Sequence, residues 1–229
     1  MMSTMMAASA HLRPGRRPGR RPGFSVDDIA QAALAVGFDN LTMTAVAERL
    51  GVKHSSLYRR IRGRDELVTA AMDRAVRQVD WPRPDGDWRR YLERTADAIW
   101  NLFTTYPGMA TQIRELPRTP PSVTRLFYAT VVELTRHGFD DESAVLIVDT
   151  VVDLAADVYL GGERLSGDHA ADDAVRLRLR ESWAGEPSDA SAARFAPIIA
   201  GIIEGDHREW FHRKLALVLD GAETRRKTR

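Results

Sequence analysis

Two adjacent serines, Ser55 and Ser56, are followed within a few residues by Tyr58, Arg59, Arg60, Arg62 and Arg64. Small hydroxyl groups beside a dense set of guanidinium groups suit a polyanion that also presents edges to be read. At the start of a helix, serines permit close approach to base edges, and Arg59, one turn on, reaches guanine acceptors or phosphate. Tyr58, Arg60, Arg62 and Arg64 would surround the groove with phosphate-binding groups, and Arg64 opens the next helical stretch, where backbone amides also favour anions. Each residue has a plainer use: Tyr58 as partial core beside Leu57, His54 as a solvated turn residue, Arg60 and Arg62 as a solvated helix face. Their occurrence together, next to a tight turn and two small serines, is what favours nucleic acid.

Such a set needs a rigid mount, and the flanking sequence supplies one. Ser25 and Asp28 form an S-x-x-D capping signature, after which Val26, Ile29, Ala30, Ala33 and Leu34 follow the spacing of an amphipathic helix that Gly37 ends. Thr42 caps a second, short helix with Met43, Val46, Ala47 and Leu50 on one face, closing at Gly51. After the turn Gly51-Val52-Lys53-His54, a third short helix begins at Ser55, points Leu57 and Ile61 inward and stops at Gly63. A fourth runs from Arg64 to Val79. The second and third form a helix-turn-helix, in which the latter lies in a major groove and the former braces it.

Beyond Trp81-Pro82-Arg83-Pro84-Asp85-Gly86 only helical periods occur. Helices are expected at 88–105, 107–115, 121–137, 141–160, 170–183, 191–203 and 206–221, with breaks at Pro107-Gly108, Pro117 to Pro121, Gly161-Gly162 and Gly185-Glu186-Pro187. The fold class is all-α: a basic arm over 1–23, a helix-turn-helix domain over 24–80, a helical effector-binding and dimerisation domain over 87–222, and a basic tail over 223–229.

The net charge of +1 conceals two opposite parts. Residues 1–64 hold 11 Lys/Arg against 4 Asp/Glu, and residues 65–229 hold 22 against 28. One end is built to meet a polyanion and the other is not. Within the first part, RPGRRPGRRPG places Arg16, Arg17, Arg20 and Arg21 in an extended tract similar to AT-hook segments; its adjacent arginines favour a nonspecific phosphate and minor-groove arm. The absence of cysteine excludes disulfides, thiolate zinc sites and cysteine nucleophiles. Apolar runs fall far short of the roughly 20 residues needed to span a membrane, and no signal-peptide pattern opens the chain. A cytoplasmic protein is expected.

Residues 25 to about 70 resemble the DNA-binding domain of the TetR family of bacterial transcriptional regulators. The resemblance is carried by Gly37-Phe38, Leu41-Thr42, Ala47 to Gly51-Val52, and Ser56-Leu57-Tyr58-Arg59 followed by Asp65-Glu66-Leu67. It implies that Thr44, His54, Ser55, Ser56 and Arg59 face bases, and that Thr42, Lys53, Tyr58, Arg60 and Arg64 hold phosphates. Ile61 stands where relatives often have phenylalanine, a matter of core packing. More weakly, the segment from Phe195 to Glu223 resembles the closing part of the tetracycline-repressor branch.

The second half should pair subunits and sense a signal. Val148, Val152, Ile198, Ile202, Phe211, Leu215 and Val218 are expected at a homodimer interface. Trp100, Phe103, Tyr106, Met109, Gln112, Phe127, Tyr128 and Val131 are candidates for an effector pocket, their alternative being plain core. Asp149, Asp153 and Asp157 recur every four residues and either face solvent, pair across subunits or meet a cation such as Arg114. The six histidines form no metal-ligand spacing, and no nucleophile elbow, P-loop or dinucleotide fingerprint occurs. No metal, cofactor or enzymatic activity is expected. The sequence thus reads as a homodimeric repressor that binds a palindromic double-stranded operator and is released by a small-molecule effector. The alternative is a helical enzyme or carrier with an accessory DNA-binding domain.

Overall fold

The computed structural model describes residues 23–165, 170–184 and 190–226. Among them are eleven α-helices and no strand. Helix α1 (Val26–Val36) begins with the capping box: the Asp28 amide donates to Ser25 Oγ at 3.1 Å and the Ser25 amide donates to Asp28 Oδ2 at 2.7 Å. Helix α2 (Met43–Leu50) is capped by Thr42 Oγ1, which accepts from the Ala45 amide, and ends at Gly51 with φ +65°, a left-handed conformation that glycine adopts without steric cost.

Helix α3 (His54–Leu57) starts one residue earlier than its serines suggest and gives way to turns after Leu57. Gly63 is consequently the N-cap of α4 (Arg64–Gln78) instead of the end of α3. One turn of helix cannot hold itself in water. What fixes α3 is burial: Leu57 and Ile61 are no more than 1% exposed and join Ile29, Phe38, Val46 and Leu67 beneath it. Helix α1 packs on α2 and α4, closing this small core.

The remaining helices are α5 (Trp88–Thr105), α6 (Met109–Glu115), α7 (Pro121–Arg136), α8 (Asp141–Glu163), α9 (Ala170–Ala184), α10 (Ala190–Glu204) and α11 (His207–Glu223). Asp87, Asp140 and Asp206 cap α5, α8 and α11 by accepting backbone amide hydrogen bonds. Helix α8 packs against α5, α7 and α11, and α9 packs against α10.

The break expected at Gly161-Gly162 is absent; α8 continues through both. A Cβ on Gly162 would stand 3.0 Å from the His207 side chain, so this glycine serves the close approach of α11 to α8 instead of ending a helix. No described helix is long and apolar enough to cross a membrane.

The buried core is continuous across the expected junction at 81–86. Val76 and Trp81 pack with Leu92, Ile99 and Phe103 of α5 and with Val148 and Val151 of α8. Helix α7 fastens its first turn to α4, where the Ser122 amide donates to Asp73 Oδ1 at 2.7 Å. Helix α4 is therefore shared between the two parts of the chain.

Candidate nucleic-acid interface and ligand cavity

On the first part of the chain, Thr42, Thr44, Lys53, His54, Ser55, Tyr58, Arg59, Arg60 and Arg64 are all exposed, and Ser56 is half-buried. Leu57 points the opposite way, so α3 presents its polar side outward from a sealed base. Arg59 Nη2 lies 3.4 Å from Ser56 Oγ, and the rings of His54 and Tyr58 meet edge to face at 5.2 Å. Tyr58 is 51% exposed, which makes its hydroxyl available and leaves little of it to the core. The Arg62 amide is held by Glu66 Oε2 at 2.6 Å, fixing the turn that leads into α4. Arg16, Arg17, Arg20 and Arg21 lie outside the described residues.

A cavity of about 80 Å³ lies where α4, α5, α6, α7 and α8 meet. Of the candidate pocket residues, Phe103, Met109 and Phe127 line it. The other candidates sit elsewhere. Trp100 stacks on Phe211 with ring centroids 5.1 Å apart, packing α5 against α11. Tyr106 donates from its hydroxyl to Gln78 Oε1 at 3.0 Å, and Gln112 accepts from Arg64 Nη2 at 2.8 Å. Tyr128 is 62% exposed, and Val131 is buried outside the cavity wall. Leu92, Thr95, Thr130 and Val151 line the cavity instead. Their apolar or threonine character was visible, but which of several apolar helix faces meet is a long-range fact that periodicity does not carry.

The expected dimer residues divide similarly. Phe211 and Leu215 are at most 2% exposed within a single chain, and Val148 and Val152 line the cavity. Val148, Phe211 and Leu215 are interior and Val152 is half-buried, because their stripes pack α8 and α11 into their own chain. Ile202 and Val218 are half-buried, and Ile198 is 61% exposed. The exposed apolar residues on α8 and α11 are Val145, Leu146 and Leu217. Asp149, Asp153 and Asp157 face solvent, and Asp157 pairs with Arg114.

The junction between the two parts contains contacts that the sequence does not announce. Gly108, the N-cap of α6, has φ +79° and lies against Asp39 in the loop between α1 and α2; a Cβ there would overlap the Asp39 carboxylate and approach its backbone nitrogen to 3.0 Å. Its Pro-Gly context signals a turn, but gives no hint of the neighbour. Between α5 and α11, Asp97 Oδ1 accepts from Arg208 Nη2 and approaches His212 Nε2, both at 2.9 Å. Burial alone would raise the Asp97 carboxyl, but these two partners hold it below the ordinary carboxylate range. Burial pushes the His207 imidazole down, with Asp206 opposing and Arg176 reinforcing. No group of three or more His, Asp or Glu placed to hold a metal occurs among the described residues.

Residues 31–71, which run from α1 into α4, match the family model described as bacterial regulatory proteins, tetR family. The chain is 30% identical over 132 residues to the HTH-type transcriptional repressor DrrR1 of Streptomyces coeruleorubidus, covering 56% of this chain and 49% of that one. It is 26% identical over 196 residues to the class C tetracycline repressor protein of Escherichia coli, covering 84% and 86%. The chain thus spans about half the length of DrrR1, and less of the mycobacterial regulators it also matches. Among solved structures, apo ActR from Streptomyces coelicolor superposes with a TM-score of 0.74 at 22% identity, covering 89% and 96% of the two chains. ActR in complex with actinorhodin gives the same TM-score at 23% identity, covering 87% and 95%.

Proposed function

We propose, for a chain that belongs to the tetR family of bacterial regulatory proteins, that it acts as a homodimeric transcriptional repressor released from its operator by a small molecule. One observation carries the reading: Ser55 and Ser56 stand on a short helix whose Leu57 is fully buried, and Arg59 is exposed in the turn that follows it. That arrangement lets the short helix enter a major groove as a rigid unit.

Base contacts are assigned to Thr44, His54, Ser55, Ser56 and Arg59, and phosphate contacts to Thr42, Lys53, Tyr58, Arg60 and Arg64. Arg16, Arg17, Arg20 and Arg21 add nonspecific affinity to neighbouring DNA. Pairing of two subunits sets two such helices about 34 Å apart, one turn of the duplex, and makes the operator palindromic. Exposed Val145, Leu146 and Leu217 are the apolar surface assigned to that pairing. The second half of the chain serves the dimer and the ligand, and the chain works in the cytoplasm without catalysis.

The cavity supplies the release step. Val76, near the end of α4, forms part of its wall, so a ligand that spreads the wall also displaces the helix that follows the DNA-reading unit. A ligand shifts the dimer only as far as it prefers one geometry over the other. That relatives include the tetracycline repressor and a structure of ActR bound to actinorhodin supports the small-molecule step.

The decisive experiment is selection of genomic fragments on the full-length protein at physiological salt. The expected result is enrichment of a two-fold symmetric motif, bound at least a thousandfold more tightly than random duplex. Equal binding of selected and random DNA would overturn the reading.

A further inference from the structure

The side chains around the cavity carry no ionisable group. Its polar atoms are those of Trp81, Thr95 and Thr130, and every hydrogen-bond donor among them is already engaged. Trp81 Nε1 donates to the Val76 carbonyl at 2.8 Å, Thr95 Oγ1 to the Tyr91 carbonyl at 2.8 Å, and Thr130 Oγ1 to the Leu126 carbonyl at 2.9 Å. Since the single Thr130 hydroxyl proton is used in this way, the Tyr91 hydroxyl, 3.4 Å away, is the donor in their contact. The lining side chains can therefore accept hydrogen bonds but have none to give. Thr95 Oγ1 keeps both lone pairs and Thr130 Oγ1 keeps one.

From this asymmetry we infer that the ligand is an uncharged, largely hydrocarbon molecule carrying a hydroxyl or similar donor, which it directs at Thr95. A carboxylate would enter without a cation to balance it, and a ketone would bury an acceptor without a donor; both losses are large in an apolar site. The cavity volume of about 80 Å³ is roughly half that of an apolar cavity known to hold benzene, about 150 Å³. A ring held wholly inside it thus parts the helices that supply its wall, α4 to α8, which is the displacement that the repressor reading requires.

This inference rests on that reading for its biological meaning, but is tested separately. The full-length protein is titrated by calorimetry with 2-naphthol, 2-methylnaphthalene, 2-acetonaphthone and 2-naphthoate. Naphthol is expected to bind at least tenfold more tightly than acetonaphthone and at least a hundredfold more tightly than naphthoate. Thr95→Val should collapse the preference for naphthol over methylnaphthalene to about one, with circular dichroism confirming the fold. Val151→Phe should abolish binding of the neutral probes by filling the cavity. Naphthoate binding as tightly as naphthol, failure of every neutral probe to bind, or an undiminished naphthol preference in a folded Thr95→Val protein would each overturn the inference. Naphthol binding as expected without any effect on operator affinity would leave the inference standing and count against ligand-controlled repression.

Discussion

Arg64, the first residue of α4, donates from Nη2 to Oε1 of Gln112 on α6 at 2.8 Å. A side chain assigned to a DNA phosphate is thereby tied to a helix of the part proposed to bind the ligand. Gln112→Ala removes this tie but leaves the guanidinium in place. An exposed hydrogen bond to a charged group is worth about 1.5 kcal/mol, roughly tenfold. Ligand-induced loss of operator binding should weaken by up to that factor, with ligand-free operator affinity held within about threefold. Fluorescence anisotropy with and without ligand measures both; an unchanged ligand response would show that coupling bypasses this contact.

Arg59 and Arg60 are adjacent and both exposed, yet they should fail differently. Arg59→Ala is expected to cost about 1–3 kcal/mol on the operator and to relax preference at one base position. Arg60→Ala should weaken all duplexes alike and lower the salt slope by about 1. Binding titrations on operator and random DNA at several salt concentrations separate the two. Equal losses on both DNAs for Arg59→Ala would reassign it to phosphate.

Gly108→Ala should destabilise the protein. The substitution places a Cβ where the Asp39 carboxylate stands, in a left-handed conformation that L side chains rarely adopt. The backbone strain alone is about 1–2 kcal/mol. Chemical denaturation should register a loss of at least this size. The double variant Gly108→Ala, Asp39→Ala should recover part of it, because only the side-chain overlap is relieved. No recovery would place the whole cost in the backbone of Gly108.

Acidification should destabilise the protein in two windows. His207 has a depressed value, so the folded chain takes up its proton later than the unfolded one does. Its stabilising contribution is complete above the ordinary imidazole value near 6.5 and is lost as pH falls towards the folded value. Asp97 is also depressed; its contribution is present above the ordinary carboxylate value near 3.9 and disappears as pH falls through the lower folded one. Denaturation midpoints measured from pH 8 to 3 should fall in both windows. His207→Gln should flatten only the upper one, and Asp97→Asn only the lower.

Much of the helical order was legible because caps are local. Ser25 with Asp28, and Thr42 with Ala45, announce their helices within four residues, and the hydrogen bonds are made as that chemistry requires. Gly161-Gly162 misleads for the opposite reason: a glycine pair reads as a break, and only the packing of His207 against Gly162 shows otherwise. The exposed polar side of α3 was also legible, since a four-residue element keeps its neighbours in sequence close in space. Phe211 and Leu215 were not separable from an interface, because an apolar stripe looks the same whether it faces its own chain or another. Trp100 and Tyr106 show the same limit at the cavity: their helices are apolar there, but the partners that cover them come from α11 and α4.

The segment matching the family model ends at residue 71, midway along α4, and Val76 lies on the following turn and a half. The same helix thus carries the end of the matched segment and, further along, part of the cavity wall. Ligand preference can be rewritten in its distal half, and in the helices around it, with the DNA-reading unit left as it is. A chimaera joined within α4 is the natural way to connect this reader to a different sensor.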